Sequence, residues 1–245
     1  MDRFELLKSL KNDQEYYTGI GRQFLSNSDV GTLLNNPGAY GKLRKDGKAL
    51  AEGRLFHQLL LEPEKVIDFP VCDTSTRTTK EYKAFIQEKG VEFCMLQKEV
   101  DDVIRWTEAI KQNYTFYEMI YQDGTQYEVP EVTELCGLTW KGKADIVTSD
   151  CIIDLKTTAD INKFKYSARS YNYDSQCYIY QQLFGRPLIF LAVDKETCQL
   201  GMFRPSTEFV EGGAKKVERA SEIFKRYFGD DATESIINHY ITEIL

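Results

Sequence analysis

Residues 138–158, LTWKGKADIVTSDCIIDLKTT, constrain the fold of this 245-residue chain more than any other stretch. From Thr139 to Thr148, β-formers alternate with polar or small residues. Ser149 and Asp150 supply turn chemistry, and Cys151-Ile152-Ile153 restart the strand pattern. If Ser149 and Asp150 are the two loop residues of a hairpin, Thr148 faces Cys151, Val147 faces Ile152, Ile146 faces Ile153 and Asp145 faces Asp154. That register puts both carboxylates on one face of the sheet, with Lys156 projecting from the same face. Two like charges about 4 Å apart repel by roughly 4 kcal/mol at an effective dielectric of about 20. The pair therefore needs either a shared proton or a cation between its members. Hard oxygen donors beside an ammonium suit Mg²⁺ and a phosphate. Acids and lysines at hairpin ends also occur as plain solvated surface, so Asp-x8-Asp-x-Lys gains its weight from the remaining chain.

Composition narrows the class. Hydrophobic residues make up 42% and charged residues 28%, as in an ordinary globular protein. No apolar run approaches the roughly 20 residues of a membrane span, and MDRFELLKSL is too charged for a signal peptide. The six cysteines contain no CxxC pair, which fits reduced thiols in a cytoplasm and offers neither a zinc site nor an iron–sulfur cluster. The net charge of −7 is unevenly spread. Residues 92–134 hold ten acids against three bases, whereas residues 42–54 hold five bases against two acids. Locally basic surfaces around a site remain compatible with DNA, and the acidic exterior argues against indiscriminate coating of DNA.

Along the chain, residues 1–11 read as a short helix and the following EYYTGIGRQ as a loop or arm. LSNSDVGTLLNNPGAY reads as a helix capped by Ser26 or Ser28 and stopped by Asn-Pro-Gly. ALAEGRLFHQLLLEPEKV is helical up to Pro63, with Gly53 and His57 on one face. His57 is one of two histidines; on an apolar helix it is either a hydrogen-bonded core residue or a neutral ligand beside a metal. A long helix is expected over 97–119, a strand over 126–135, helices over 173–184, 206–227 and 232–244, and a strand pair over 188–193 and 199–204. Glu131 is the expected third carboxylate. A strict two-residue turn at Cys136-Gly137 would instead bring Glu128 to Asp145, unless a bulge near Pro130 shifts the register. Lys163, Lys165 and Arg169 interleave with Phe164 and Tyr166, a pattern that suits either a nucleic-acid strand or a solvated amphipathic segment. Arg44, Arg54, Arg77 and Lys143 are further candidates for DNA contact.

These residues resemble the PD-(D/E)xK nuclease superfamily, in its RecB-like and RecE-like branch of phage exonucleases related to lambda exonuclease. The resemblance rests on Glu131, then Gly142-Lys-Ala-Asp145, then Ile153-Asp154-Leu155-Lys156-Thr157-Thr158, then Gln176-x3-Tyr180. In the first half it rests on LSNSDVGTLLNNPGAY and on His57 in a Gly-x3-His position. GKAD stands where the family often has Pro-Asp. The implied fold is α/β (α+β), a central mixed β-sheet flanked by helices. It would form one domain over 1–245: a helical part to about residue 120, a catalytic core over about 121–205, and C-terminal helices. The resemblance implies that His57, Glu131, Asp145, Asp154 and the Leu155 carbonyl hold Mg²⁺ or Mn²⁺, and that Lys156 orients or deprotonates water. Gln176 and Tyr180 would support the lysine. The implied activity is 5′→3′ degradation of linear duplex DNA, leaving 3′ tails for a single-strand-annealing recombinase. A ring-shaped homo-oligomer in the host cytoplasm is implied with it. The same motif also fits a structure-specific or single-strand endonuclease, and a silent DNA-binding module is the remaining alternative.

Overall fold

A computed structural model describes residues 1–42 and 46–242. Arg44 lies outside the described residues. The chain enters through α1 (Arg3–Leu10), capped by the Asp2 side chain, and α2 (Asp13–Tyr17), capped by Asn12. The stretch expected to be a loop is thus partly helical, because the Asn12 carboxamide accepts the Glu15 N–H while Tyr16 buries against Leu10 and Val132. Then follow α3 (Asn27–Asn35), with a Ser26–Asp29 capping box, and α4 (Lys48–Leu61), which ends just before Pro63.

A small parallel pair, β1 (Val71–Cys72) and β2 (Met95–Leu96), brackets α5 (Lys80–Lys89), whose C-terminal Gly90 takes the left-handed conformation. The helix expected over 97–119 is two helices, α6 (Gln97–Gln112) and α7 (Tyr114–Tyr121). Asn113 leaves helical backbone at ψ 112° and uses its side chain to accept the Phe116 N–H, starting the second helix.

The main sheet has five strands in the spatial order of the chain: β3 (Gln126–Leu135), β4 (Leu138–Val147), β5 (Ile152–Thr158), β6 (Leu188–Asp194) and β7 (Leu200–Phe203). All neighbours are antiparallel except β5 and β6, which are parallel and joined by a crossover through α8 (Phe164–Ser170) and α9 (Tyr173–Phe184). One face packs Ile153, Leu155 and Leu191 against Phe56 of α4 and Val103 and Ile110 of α6. The other packs Trp140, Ile152 and Phe190 against Leu33 of α3, Ile179 of α9 and Val217 of α10 (Thr207–Tyr227). Each fully buried aliphatic or aromatic side chain of this kind contributes about 1.5–3 kcal/mol. The mixed sheet covered by helices on both faces is the expected architecture.

Two glycines set the layer spacing. A Cβ on Gly142 of β4 would lie 2.5 Å from Leu183 of α9, and one on Gly213 of α10 would lie 2.0 Å from the Asp174 carbonyl. The Gly212-Gly213 pair therefore marks a close helix contact and leaves α10 unbroken. The helix expected over 232–244 does not form among the described residues, which hold only a 3₁₀ turn, Ile236–Asn238. Ile237 and Ile241 are exposed there, so no apolar stripe is buried to stabilise a helix.

Candidate active site

The site begins with strand register. β3 and β4 pair from Leu135↔Leu138 to Val129↔Ala144 without a slip, so no bulge intervenes near Pro130. The next position brings Glu128 opposite Asp145. Pairing is interrupted there and resumes at Tyr127↔Ile146. Glu128 has φ 49°, a conformation rare outside glycine that costs about 1–3 kcal/mol. The side chains on either side of this level switch cores: Val129 and Ala144 pack towards α9, Tyr127 and Ile146 towards α4 and α6. Glu131, expected as the third carboxylate, instead pairs with Arg3 at 2.5 Å on the N-terminal side of the sheet. Glu128 takes its place because the Cys136-Gly137 turn is strict.

The second hairpin has the expected pairs Val147↔Ile152 and Ile146↔Ile153, but its ladder stops there. Asp145 and Asp154 therefore do not stand side by side as a cross-strand pair. The Asp145 carboxylate instead accepts the backbone N–H of Leu155 at 2.8 Å. Asp145 reaches towards His57 on α4, whereas Asp154 reaches Gln176 on α9.

His57 Nδ1 lies 3.5 Å from Asp145 Oδ1 and 4.0 Å from Glu128 Oε1, and its Nε2 is 3.2 Å from the Leu155 carbonyl oxygen. One ligand atom from each of His57, Glu128 and Asp145 falls within a 4.8 Å cluster. An imidazole and two carboxylates are a donor set that fits a hard divalent cation, and the Leu155 carbonyl engages the other ring nitrogen and orients the imidazole. Asp154 stays outside this group. Its Oδ1 accepts from Gln176 Nε2 at 2.5 Å and its Oδ2 pairs with Lys156 Nζ at 2.5 Å.

Lys156 is held from two sides, by Asp154 and by the Tyr173 ring, whose centroid is 4.8 Å from Nζ. Tyr180 donates its hydroxyl to the Lys143 carbonyl at 2.9 Å, anchoring α9 to β4 beside the site. Sequence reasoning missed Tyr173; its spacing of three from Gln176 on α9 was the available signal.

Burial dominates the electrostatics. Desolvation, then the Asp145 carboxylate, push Glu128 up to about 8. Burial pushes Asp154 up to about 6, with Asp145 adding to it and the Lys156 ammonium pulling the other way. Lys156 itself is raised: its burial is outweighed by the Asp154, Tyr173 and Asp145 charges. Crowded carboxylates that hold protons more tightly than usual are a site short of positive charge.

The basic candidates fare differently. Arg77 is committed to Glu99 through a two-pronged ion pair and stacks over Phe93, so it is structural. Lys143 is buried and paired with Asp13 at 2.6 Å. Arg54 lies on α4 with Asp46 3.2 Å away. Lys163 pairs with Asp160, Lys165 lies over Tyr166, and Arg169 lies over Phe209; these three are exposed on α8 and the turn before it, with Tyr166 and Tyr171.

Residues 26–230, most of the chain, match the model of a PDDEXK-like domain of unknown function, DUF3799. The chain belongs to this family. Its PDDEXK-like domain is similar to a solved structure from Eubacterium rectale described as a "Putative exonuclease", with 18% identity over 96% of this chain and 95% of that one and a TM-score of 0.64. A second solved structure, SSO0001, is 13% identical over 80% of this chain and 84% of that one, with a TM-score of 0.33. None of the curated proteins matches the chain. In this PDDEXK-like domain Asp145 groups with His57 of α4 and Glu128 of β3, and Asp154 pairs with Lys156 on β5. No helix among the described residues is long and apolar enough to cross a membrane.

Proposed function

We propose that this PDDEXK-like domain is a metal-dependent exodeoxyribonuclease that degrades linear duplex DNA from its 5′ ends and leaves 3′ single-stranded tails. The observation that carries the reading is the convergence of His57, Glu128 and Asp145 within 4.8 Å, with the Leu155 carbonyl 3.2 Å from His57. His57, Glu128 and Asp145 would hold Mg²⁺, for which Mn²⁺ substitutes, while the Leu155 carbonyl, expected as a further ligand, instead faces His57 Nε2 and would orient the ring. The bound cation would acidify a water and neutralise charge developing on the scissile phosphate.

The protein's own groups act around that centre. Lys156, held by Asp154 and the Tyr173 ring, would orient the attacking water or hold a phosphate oxygen. Asp154 keeps Lys156 charged and in place, and Gln176 fixes the Asp154 carboxylate. Asp145 is positioned by the Leu155 N–H. Lys163, Lys165 and Arg169 with Tyr166 and Tyr171 offer the strand an exposed basic and aromatic surface on α8 and the turn before it. The description of the E. rectale neighbour supports the exonuclease form of the reading. A ring-shaped homo-oligomer would line its channel with these bases and so reconcile DNA binding with a net charge of −7. Its product tails would pass to a single-strand-annealing recombinase in the cytoplasm.

The test is digestion of end-labelled linear duplex and of closed circular DNA with Mg²⁺ or Mn²⁺, with Lys156→Ala as control. Ordered loss of the 5′ label, an intact circle and an inactive variant are expected. Cutting of the circle would replace the exonuclease by an endonuclease, and no hydrolysis with either metal would overturn the nuclease reading.

A further inference from the structure

Two lysines converge on one carboxylate near the candidate metal centre. Lys143 lies two residues before Asp145 on β4, and its side chain is only 4% exposed. Because Gly142 faces α9, the flanking Lys141 and Lys143 project from the opposite side of β4, towards the N-terminal helices. Lys143 Nζ contacts Asp13 Oδ1 at 2.6 Å, and Lys65 Nζ contacts Asp13 Oδ2 at 3.2 Å. The Tyr16 ring lies 4.6 Å and the Tyr17 ring 5.8 Å from Lys143 Nζ. Glu62 shares Lys65 at 2.7 Å. The Asp13 side chain is half exposed, so this carboxylate approaches the buried lysine from solvent. Asp13, Tyr16 and Tyr17 also precede the residues that match the family.

A phosphodiester carries one negative charge over two non-bridging oxygens, as a carboxylate does. Two ammonium groups, one on each oxygen of Asp13, are the arrangement that would receive a phosphate. Exchanging Asp13 for a phosphodiester leaves the local charge unchanged, so the buried Lys143 keeps a partner throughout. Tyr16 is buried beneath Lys143, whereas the exposed Tyr17 ring beside Lys143 supplies a face on which a base can stack.

We infer that Lys65 and Lys143 form a phosphate subsite next to the candidate metal centre, that the Asp13 carboxylate fills it in the free protein, and that a phosphate of the DNA strand displaces Asp13 when substrate binds. This inference rests on the nuclease reading and adds a competing internal anion to it. Asp13 then acts as a built-in competitor that weakens binding of any strand too short to reach both the subsite and the metal centre.

The experiment measures binding of a short fluorescent duplex by anisotropy, with Ca²⁺ in place of Mg²⁺, for wild type, Asp13→Asn, Lys65→Gln and the double variant. Hydrolysis with Mg²⁺ is measured in parallel. Asp13→Asn is expected to lower Kd about fivefold and to steepen its salt dependence, since the freed lysines now release counterions on binding. Lys65→Gln, at a partly exposed position, is expected to raise Kd about fivefold and to shrink the gain from Asp13→Asn. Circular dichroism checks that each variant is folded. Unchanged or weaker binding by folded Asp13→Asn, in an enzyme that cleaves DNA, overturns the subsite alone. Strictly additive effects in the double variant do the same. Failure of the wild type to bind or cleave DNA overturns the nuclease reading beneath it.

Discussion

The Asp145 carboxylate accepts the Leu155 N–H at 2.8 Å, so a side chain on β4 takes the place of main-chain pairing at the point where β4 and β5 separate. The same aspartate is then both a structural acceptor and a candidate ligand. Asp145→Asn separates the roles, because the amide oxygen still accepts from Leu155 while the charge is gone. Nuclease activity is expected to fall by at least about 100-fold and Mg²⁺ binding to weaken similarly, with little loss of stability. Asp145→Leu leaves the Leu155 N–H unpaired and is expected to cost about 1–3 kcal/mol in urea unfolding as well. Equal loss of stability in both variants would show that the hydrogen bond does not survive in the amide.

Glu128 and Glu131 give a sharper contrast. Glu128→Gln removes one of the three clustered donors and is expected to reduce kcat by about 10²–10³, comparable to loss of a key charge-stabilising group. Glu131→Gln breaks a partly exposed ion pair with Arg3 and is expected to leave kcat unchanged and stability within about 1 kcal/mol. Steady-state kinetics of the two variants on one linear duplex would decide it. The reverse ranking would mean that β3 shifts register when DNA binds.

That contrast also shows what the sequence made legible. The central hairpin was readable because turn residues and alternation are local, and its two formed pairs are the expected ones. The choice between Glu128 and Glu131 turned on the register of the β3–β4 turn, and the strict reading, left open against a bulge, is the one realised. The opposition of Asp145 and Asp154 failed: Asp145 takes the Leu155 N–H and faces His57 of α4, whereas Asp154 is held by Gln176 of α9, contacts that periodicity does not encode. The engagement of Arg77, a candidate for DNA contact, was illegible for a related reason: its partner Glu99 lies on a different element, and the ion pair exists only in the fold. The division of residues 97–119 at Asn113 was legible in principle, since asparagine is a strong N-cap, but an unbroken apolar spacing masked it.

Gly142 links packing to the site. A methyl group there would come 2.8 Å from the Tyr180 ring as well as 2.5 Å from Leu183. Gly142→Ala is expected to destabilise the protein by about 1–3 kcal/mol through overpacking and to push Tyr180 off the Lys143 carbonyl. Activity should then fall more than in Tyr180→Phe, which removes only the hydroxyl. Thermal denaturation and kcat on the two variants test this, and an Ala variant as active as Phe would show that α9 tilts away freely.

The raised carboxylates predict how pH acts on the metal-free protein. Glu128 is pushed up to about 8 and Asp154 up to about 6, against ordinary values of 4.5 and 3.8. A group that binds its proton more tightly when folded contributes stability that is full below its unfolded value and lost as pH rises through its folded value. Stability without metal should therefore decline between about pH 5 and pH 8. Asp13, Glu99 and Asp194, whose values are lowered, act with the opposite sign, but mainly below about pH 4.5. Adding Mg²⁺ should reverse the decline, because the cation supplies the positive charge that the protons otherwise provide, and binding it near neutral pH should release a proton from Glu128. Thermal melts in EDTA and in Mg²⁺ across this range, repeated with Glu128→Gln, are the measurement. The EDTA curve should flatten in the variant, and the stabilisation by Mg²⁺ should grow with pH in the wild type. A wild-type protein that becomes more stable from pH 5 to 8 in EDTA would mean that Glu128 is already ionised without a cation and that the site is less crowded with negative charge than its geometry implies.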